Sequence, residues 1–67
     1  MRITKCGMSV HSDGKCFMTE HYENVKGVSD FERRVIDIMF IHGCDVEICY
    51  DKVDKTVILK YEVKHNG

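Results

Sequence analysis

The chain has 67 residues and a formal net charge of −1, and 31% of its residues are charged, with both signs mixed. This balance argues against a nucleic-acid binder, which needs a basic face, and against a strongly acidic mimic of DNA. A chain of this length predicts a single domain, residues 1–67, that buries only about 60% of the surface exposed by its unfolded chain.

The sequence contains no apolar run of membrane length and no charged-then-apolar signal peptide. We therefore predict a cytoplasmic protein without a membrane partner. Cysteines in that compartment stay reduced, so the four cysteines are expected to be free thiols. Chains this short are typical of viral accessory proteins and small regulators.

Residues 2–10 and 15–23 predict the first two strands, joined as a hairpin. Asp13 and Gly14 are a strong hairpin signal, because both positions tolerate a positive φ. If these two residues form the loop, one face of the hairpin carries the following six side chains. They are Cys6, Met8, Val10, Phe17, Thr19 and His21. A slip of one residue would exchange the two faces.

Residues 29–43 predict a helix. Ser29 and Glu32 have the spacing of a capping box, which satisfies two backbone donors that the first turn leaves without partners. Gly43 follows the last apolar residue, where a left-handed residue ends a helix. The alternation of apolar residues in the second half would also fit a strand, but the cap, the stop and the length favour a helix.

The predicted helix has two apolar sides, since successive residues turn by about 100°. Phe31, Val35, Ile38 and His42 form the stripe that faces the sheet, flanked by Met39 and Ile41. Ile36 and Phe40 lie about half a turn away, beside Arg33 and Asp37. An apolar helix face rimmed by charge predicts a surface for a protein partner, and a homodimer is the simplest such partner. The alternative is that a terminal segment covers this face. Both Arg33 and Arg34 are expected to be solvated.

Residues 46–51 and 57–63 alternate between apolar and polar side chains and predict the third and fourth strands, with a turn at 52–55. Residues 64–67 are expected to fray. The predicted fold is α+β, in the order β-β-α-β-β, with one helix packed on a four-stranded antiparallel sheet. The predicted core consists of Met8, Val10, Phe17, Phe31, Val35, Ile38, Met39, Val46, Ile48, Leu59, Tyr61 and Val63.

The candidate metal ligands are the four cysteines with three histidines: Cys6, Cys16, Cys44, Cys49, His11, His21 and His42. Structural zinc needs four convergent ligands, and the sequence has no Cys-x-x-Cys pair. Scattered cysteines more commonly pack as small hydrophobes. We therefore predict no metal and no cofactor.

The candidate nucleophile and base are Cys6 and His21, which the predicted hairpin places side by side. Nothing in the sequence orients the histidine or supplies an oxyanion donor. The glycines are isolated, and the acidic residues at the helix start would repel a phosphate. We therefore predict no catalytic residue and a protein that is not an enzyme.

Three short stretches around the first hairpin and the helix start carry a resemblance to a known family. They are Ser12-Asp13-Gly14-Lys15, Glu20-His21-Tyr22, and Lys26-Gly27 leading to Ser29-Asp30-Phe31-Glu32, and they lie between residues 12 and 32. They resemble the small uracil-DNA glycosylase inhibitors of Bacillus phages. The resemblance implies a dimeric inhibitor that imitates DNA phosphates with carboxylates and grips an apolar side chain of the enzyme in an apolar groove. By position, it implies that Glu20, Asp30 and Glu32 are the phosphate mimics. The near-neutral charge and the second hairpin after a longer helix depart from that family.

These observations favour a non-enzymatic protein-binding module, with a phage-type inhibitor of a host enzyme or defence protein as its role. The alternative is a small nucleic-acid or zinc-dependent regulatory module, and a small enzyme or carrier is a third class. The predicted partner-binding residues are Ile36, Phe40, Arg33, Asp37, Glu20, Asp30 and Glu32.

Overall fold

The computed structural model describes residues 1–64. Its elements are β1 (Arg2–Val10), β2 (Cys16–Glu23), α1 (Val28–His42), β3 (Val46–Asp51) and β4 (Thr56–Val63). The four strands form one antiparallel sheet in the order β1-β2-β4-β3. The predicted α+β fold and chain order are confirmed. Of the residues predicted to fray, 65–67 lie outside the described part of the chain.

The core lies between α1 and the half of the sheet formed by β3 and β4. Its buried apolar side chains are Val25, Phe31, Ile38, Val57, Leu59 and Tyr61. Three alternate residues of β4, Val57, Leu59 and Tyr61, are buried, because β4 is a central strand and these residues face the helix. Within residues 1–64, no helix has the length and apolar character needed to cross a bilayer.

Part of the predicted core is wrong. Four of its members are exposed: Met8, Val10, Met39 and Ile48. The first two belong to β1, which is an edge strand that the helix does not cover. Phe17 is half-buried but lies on the face away from the helix, against His11 and Lys60. Val25, which the prediction left out, is fully buried, because its loop folds inward and its N–H donates to the Lys55 carbonyl over 2.9 Å.

The predicted register of the first hairpin is wrong by one residue. Gly14 has a φ of 86°, and its N–H donates to the His11 carbonyl over 2.9 Å. The loop is therefore a three-residue turn closed by a left-handed glycine, not a two-residue turn. Cys6 consequently lies opposite Glu20 rather than His21. The face away from the helix receives Phe17, Thr19 and His21 from β2.

The predicted capping box at the helix start is also wrong. Gly27 is the N-cap. Among the described residues, no side chain makes a capping hydrogen bond at this end of the helix. Ser29 lies inside the first turn, where its hydroxyl is not in the N-cap position. The Asp30 carboxylate instead accepts the Lys26 N–H over 3.2 Å. At the other end, Gly43 has a φ of 62° and ends the helix as predicted.

Candidate functional site

The side of α1 that faces away from the sheet presents four predicted contact residues together. Phe40 is 90% exposed and Ile36 is 54% exposed. Arg33 Nε lies 3.7 Å from Asp37 Oδ1, so these two residues, one helical turn apart, form an ion pair. We call these four residues the outer helix face. Helical spacing alone brings them together, because residues three and four positions apart share one side of a helix. Their exposure agrees with the prediction, and their role in binding stays a prediction.

The outer helix face has the chemistry of a contact surface. Each large apolar side chain left in water forgoes about 1.5–3 kcal/mol that burial by a partner would recover. The exposed ion pair between Arg33 and Asp37 contributes only about 0.3–0.5 kcal/mol, so both groups can exchange it for partner contacts at little cost. Glu32 is exposed one turn before Ile36 and extends the face toward the helix start.

The carboxylates implied by the family resemblance do not share one environment. Glu32 is exposed on the first turn of the helix. Asp30 is half-buried and is held by the Lys26 N–H. Glu20 is only 3% exposed, so in this structure it cannot act as a surface phosphate mimic. The three carboxylates therefore do not form one accessible row.

Glu20 lies at the centre of a buried polar cluster beneath the helix. Arg34 donates from Nε to Oε1 over 3.0 Å and from Nη2 to Oε2 over 2.7 Å. The Tyr22 hydroxyl donates to Oε1 and the Tyr61 hydroxyl donates to Oε2, each over 2.6 Å. We call these four residues the Glu20 cluster. It links β2, β4 and α1, and each Glu20 oxygen accepts two hydrogen bonds.

The contacts of the Glu20 cluster fix the charge of each member at neutral pH. Burial alone would raise the pKa of Glu20, but hydrogen bonds from Arg34, Tyr22 and Tyr61 outweigh it and lower that pKa to about 2. Burial, followed by the hydrogen bond to Glu20, raises the pKa of Tyr22 to about 12 and raises the pKa of Tyr61 as well. The hydrogen bond to Glu20 also raises the pKa of Arg34. The cluster therefore holds one anion, one cation and two neutral phenols, and none of the four is poised for acid–base catalysis near neutral pH.

Sequence reasoning missed the Glu20 cluster because it assigned Arg34 to solvent and Glu20 to the surface. Arg34 is three residues after Phe31 and four before Ile38, so it lies at the edge of the buried stripe. Glu20 is on a central strand and shares the helix-side face with Tyr22, two residues later. The sequence shows that Glu20 and Tyr22 share one face of β2. The predicted register assigned that face to the side away from the core, so Glu20 was expected at the surface.

The cysteines and histidines have packing roles where the structure shows their contacts. All four cysteines are free thiols. The Cys44 thiol donates to the Glu62 carbonyl over 3.3 Å, and the His42 ring lies 5.1 Å from the Tyr61 ring. Among residues 1–64, no three His, Cys, Asp or Glu side chains converge as ligands for a metal ion.

Residues 1–64 form a small α+β protein in which every buried side-chain nitrogen or oxygen atom has a hydrogen-bond partner, and one side of the helix carries exposed apolar groups. Comparison of the chain with protein-family models, curated proteins and solved structures finds no match. The function is therefore inferred from the surfaces of the chain itself.

Proposed function

We propose that this chain is a non-enzymatic protein-binding module and that its outer helix face contacts the partner. The observation that carries the proposal is the exposure of Phe40, whose ring lies in water while Ile38, two residues earlier, is fully buried. Aromatic side chains that fit a partner's pocket commonly carry much of the energy of an interface. A helix that presents such a side chain suits binding in an apolar groove.

The proposed partner is a protein that offers an apolar groove for Ile36 and Phe40. Because Arg33 and Asp37 flank these residues, the rim of that groove should contain both an acidic and a basic group. Glu32 would lie toward the same rim. The proposed role is that of a phage-type inhibitor of a host enzyme or defence protein, acting in the cytoplasm, where its four free thiols would stay reduced.

The Glu20 cluster supports a binding role over a catalytic one. An enzyme of this size would need its titratable groups to face a substrate. The buried carboxylate of Glu20 instead accepts its hydrogen bonds from Arg34, Tyr22 and Tyr61. The cluster therefore holds the helix on the sheet, and the surface chemistry lies on the other side of that helix.

The proposal predicts that Phe40→Asp abolishes binding without unfolding the chain. The immobilised parent protein is used to capture a partner from host lysate, and the capture is repeated with Phe40→Asp and with Val53→Asp. Val53 is 84% exposed in the turn between β3 and β4, which makes it a matched control. The parent and Val53→Asp should retain the same partner, while Phe40→Asp weakens binding at least tenfold, the loss expected when an interface anchor is removed.

Circular dichroism of the purified variants completes this test. Phe40→Asp should keep the parent spectrum and melting transition, because its side chain is already in water. Unfolding of Phe40→Asp would assign Phe40 to the core, and unchanged capture of the partner would exclude the outer helix face as the binding surface. Either result would overturn the proposal.

A further inference from the structure

β1 is an edge strand with an unprotected outer side. In the part of the chain that is described, β1 pairs only with β2, and all nine of its residues are exposed. Its residues 6–10 include neither a charged side chain nor a proline. Charges, prolines and bulges are the features that keep natural edge strands from pairing with another chain, and the irregularity in β1 lies earlier, between Ile3 and Lys5. We call residues 6–10 the open edge.

The opposite edge of the sheet differs in its charge. β3 has six residues, of which Glu47 and Asp51 are acidic, and Asp45 precedes it. Two copies that paired along β3 would bring acidic side chains of the same sign together, which destabilises a cross-strand pair. The β3 edge is thus protected against self-association, whereas the open edge is not.

We propose that a second copy of this chain pairs antiparallel with β1 about a twofold axis at Met8. The two four-stranded sheets would then form one continuous sheet with both helices on the same face. This inference goes beyond the proposed function, because it uses the open edge and leaves the outer helix face free for a different partner.

The side chains of the open edge fit this register. Met8 is 59% exposed and Val10 is 71% exposed, and both lie on the helix-side face that α1 leaves uncovered. With the axis at Met8, the two Met8 side chains face each other and each Val10 faces Cys6 of the second copy, so apolar groups meet apolar groups. An axis at Cys6 would instead place Val10 opposite Arg2, an apolar side chain opposite a charged one.

The charges next to the open edge are complementary in the same register. Lys5 precedes the open edge, and Asp13, in the turn that follows β1, is exposed. A twofold axis at Met8 places each Lys5 opposite His11 of the other copy, and Asp13 lies two residues farther along, at a diagonal distance that a lysine side chain can span. Opposite charges therefore lie diagonally near each end of the paired segment, while the segment between them has no charge to repel its copy.

Sedimentation equilibrium of the whole chain tests the association. The parent should sediment at twice its 7.8 kDa monomer mass. Met8→Lys places two ammonium groups at the axis and should raise the dissociation constant of the dimer at least tenfold, whereas Val53→Lys and Phe40→Asp should leave it unchanged. A parent that stays monomeric at millimolar concentration would overturn the proposal. So would a dimer that survives Met8→Lys or is lost in Phe40→Asp.

Cross-linking tests the register and does not depend on the folding of Met8→Lys. In a Cys6→Ser background, Met8→Cys should form a covalent dimer under a mild added oxidant. The two α-carbons at the axis would be about 4.5–5.5 Å apart, a distance that a disulfide spans. Ser9→Cys in the same background is the control, because Ser9 points to the opposite face and lies opposite Gly7 of the second copy. Failure of Met8→Cys to cross-link, or equal cross-linking of the two variants, would overturn the pairing at Met8.

Discussion

Arg33 and Arg34 are neighbours in the chain, but their side chains have different surroundings on α1. Arg33 is on the outer helix face, 3.7 Å from Asp37; the Arg33 side chain is largely in water and the Asp37 side chain is half-exposed. Arg34 points toward β2 and binds both oxygens of buried Glu20. A rotation of about 100° between successive residues therefore separates a group available to a partner from a group that holds the fold.

The two sides of the helix also differ in how much stability a single substitution is expected to remove. An exposed ion pair gains little, because water screens both charges and competes for them. A buried carboxylate has lost its water, so its stability depends on every hydrogen bond that replaces it. The inner side of the helix is thus sensitive to the loss of one partner, and the outer side is free to vary without unfolding the protein.

Replacing each arginine in turn tests whether the two sides of the helix differ in their effect on stability. We expect Arg34→Met to lower the free energy of unfolding by about 3–5 kcal/mol, because Glu20 would stay buried without its cation. Arg33→Met should change it by no more than about 0.5 kcal/mol, as expected for an exposed position. Urea unfolding followed by circular dichroism measures both values.

The total stability of a domain this size is about 3–10 kcal/mol, so Arg34→Met can unfold outright. Arg34→Lys then provides the measurement, since it keeps the charge but cannot donate the two parallel bonds of the guanidinium. Equal destabilisation by the Arg33 and Arg34 variants would contradict the distinction between the two sides of the helix.

A second, smaller effect is expected from acid. Because the pKa of Glu20 is lowered to about 2 in the folded state, the unfolded chain binds a proton at higher pH than the folded chain does. The contribution of Glu20 to stability is therefore present above its usual pKa of about 4.3 and is lost as the pH falls toward 2. It amounts to about 3 kcal/mol at most.

Urea unfolding at a series of pH values measures this contribution. Glu20→Gln should be less stable than the parent at neutral pH, and its stability should fall less steeply as the pH is lowered below 4.3 or so. Parallel pH profiles for parent and variant would show that Glu20 is not the carboxylate responsible for the acid sensitivity.

The smallest effect separates two adjacent residues at the helix start. Asp30→Ala removes the acceptor of the Lys26 N–H and a negative charge near the helix N-terminus, and should cost about 1 kcal/mol. Ser29→Ala should cost less than about 0.5 kcal/mol, because Ser29 is not the N-cap. The midpoints of urea unfolding for the two variants decide between the observed start and a capping box at Ser29, which would reverse their order.

Features that depend on neighbouring residues could be predicted from the amino-acid sequence. The helix stop at Gly43, the order of the five elements and the grouping of Arg33, Ile36, Asp37 and Phe40 all follow from local spacing. Helical and strand periodicities are set by the backbone, so residues that share a side can be identified before the fold is known. The outer helix face was predictable for this reason.

Three features depend on the tertiary fold: the position of β1 at the edge of the sheet, the burial of Glu20 and the pairing of Arg34 with Glu20. Strand order depends on contacts between distant parts of the chain, and a three-residue turn in place of a two-residue turn exchanged the faces of the hairpin. Met8 and Val10 alternate as core residues do, yet they are exposed because the helix lies over β3 and β4 instead. Alternation shows which residues share a face of a strand, whereas burial depends on what the rest of the chain places over that face.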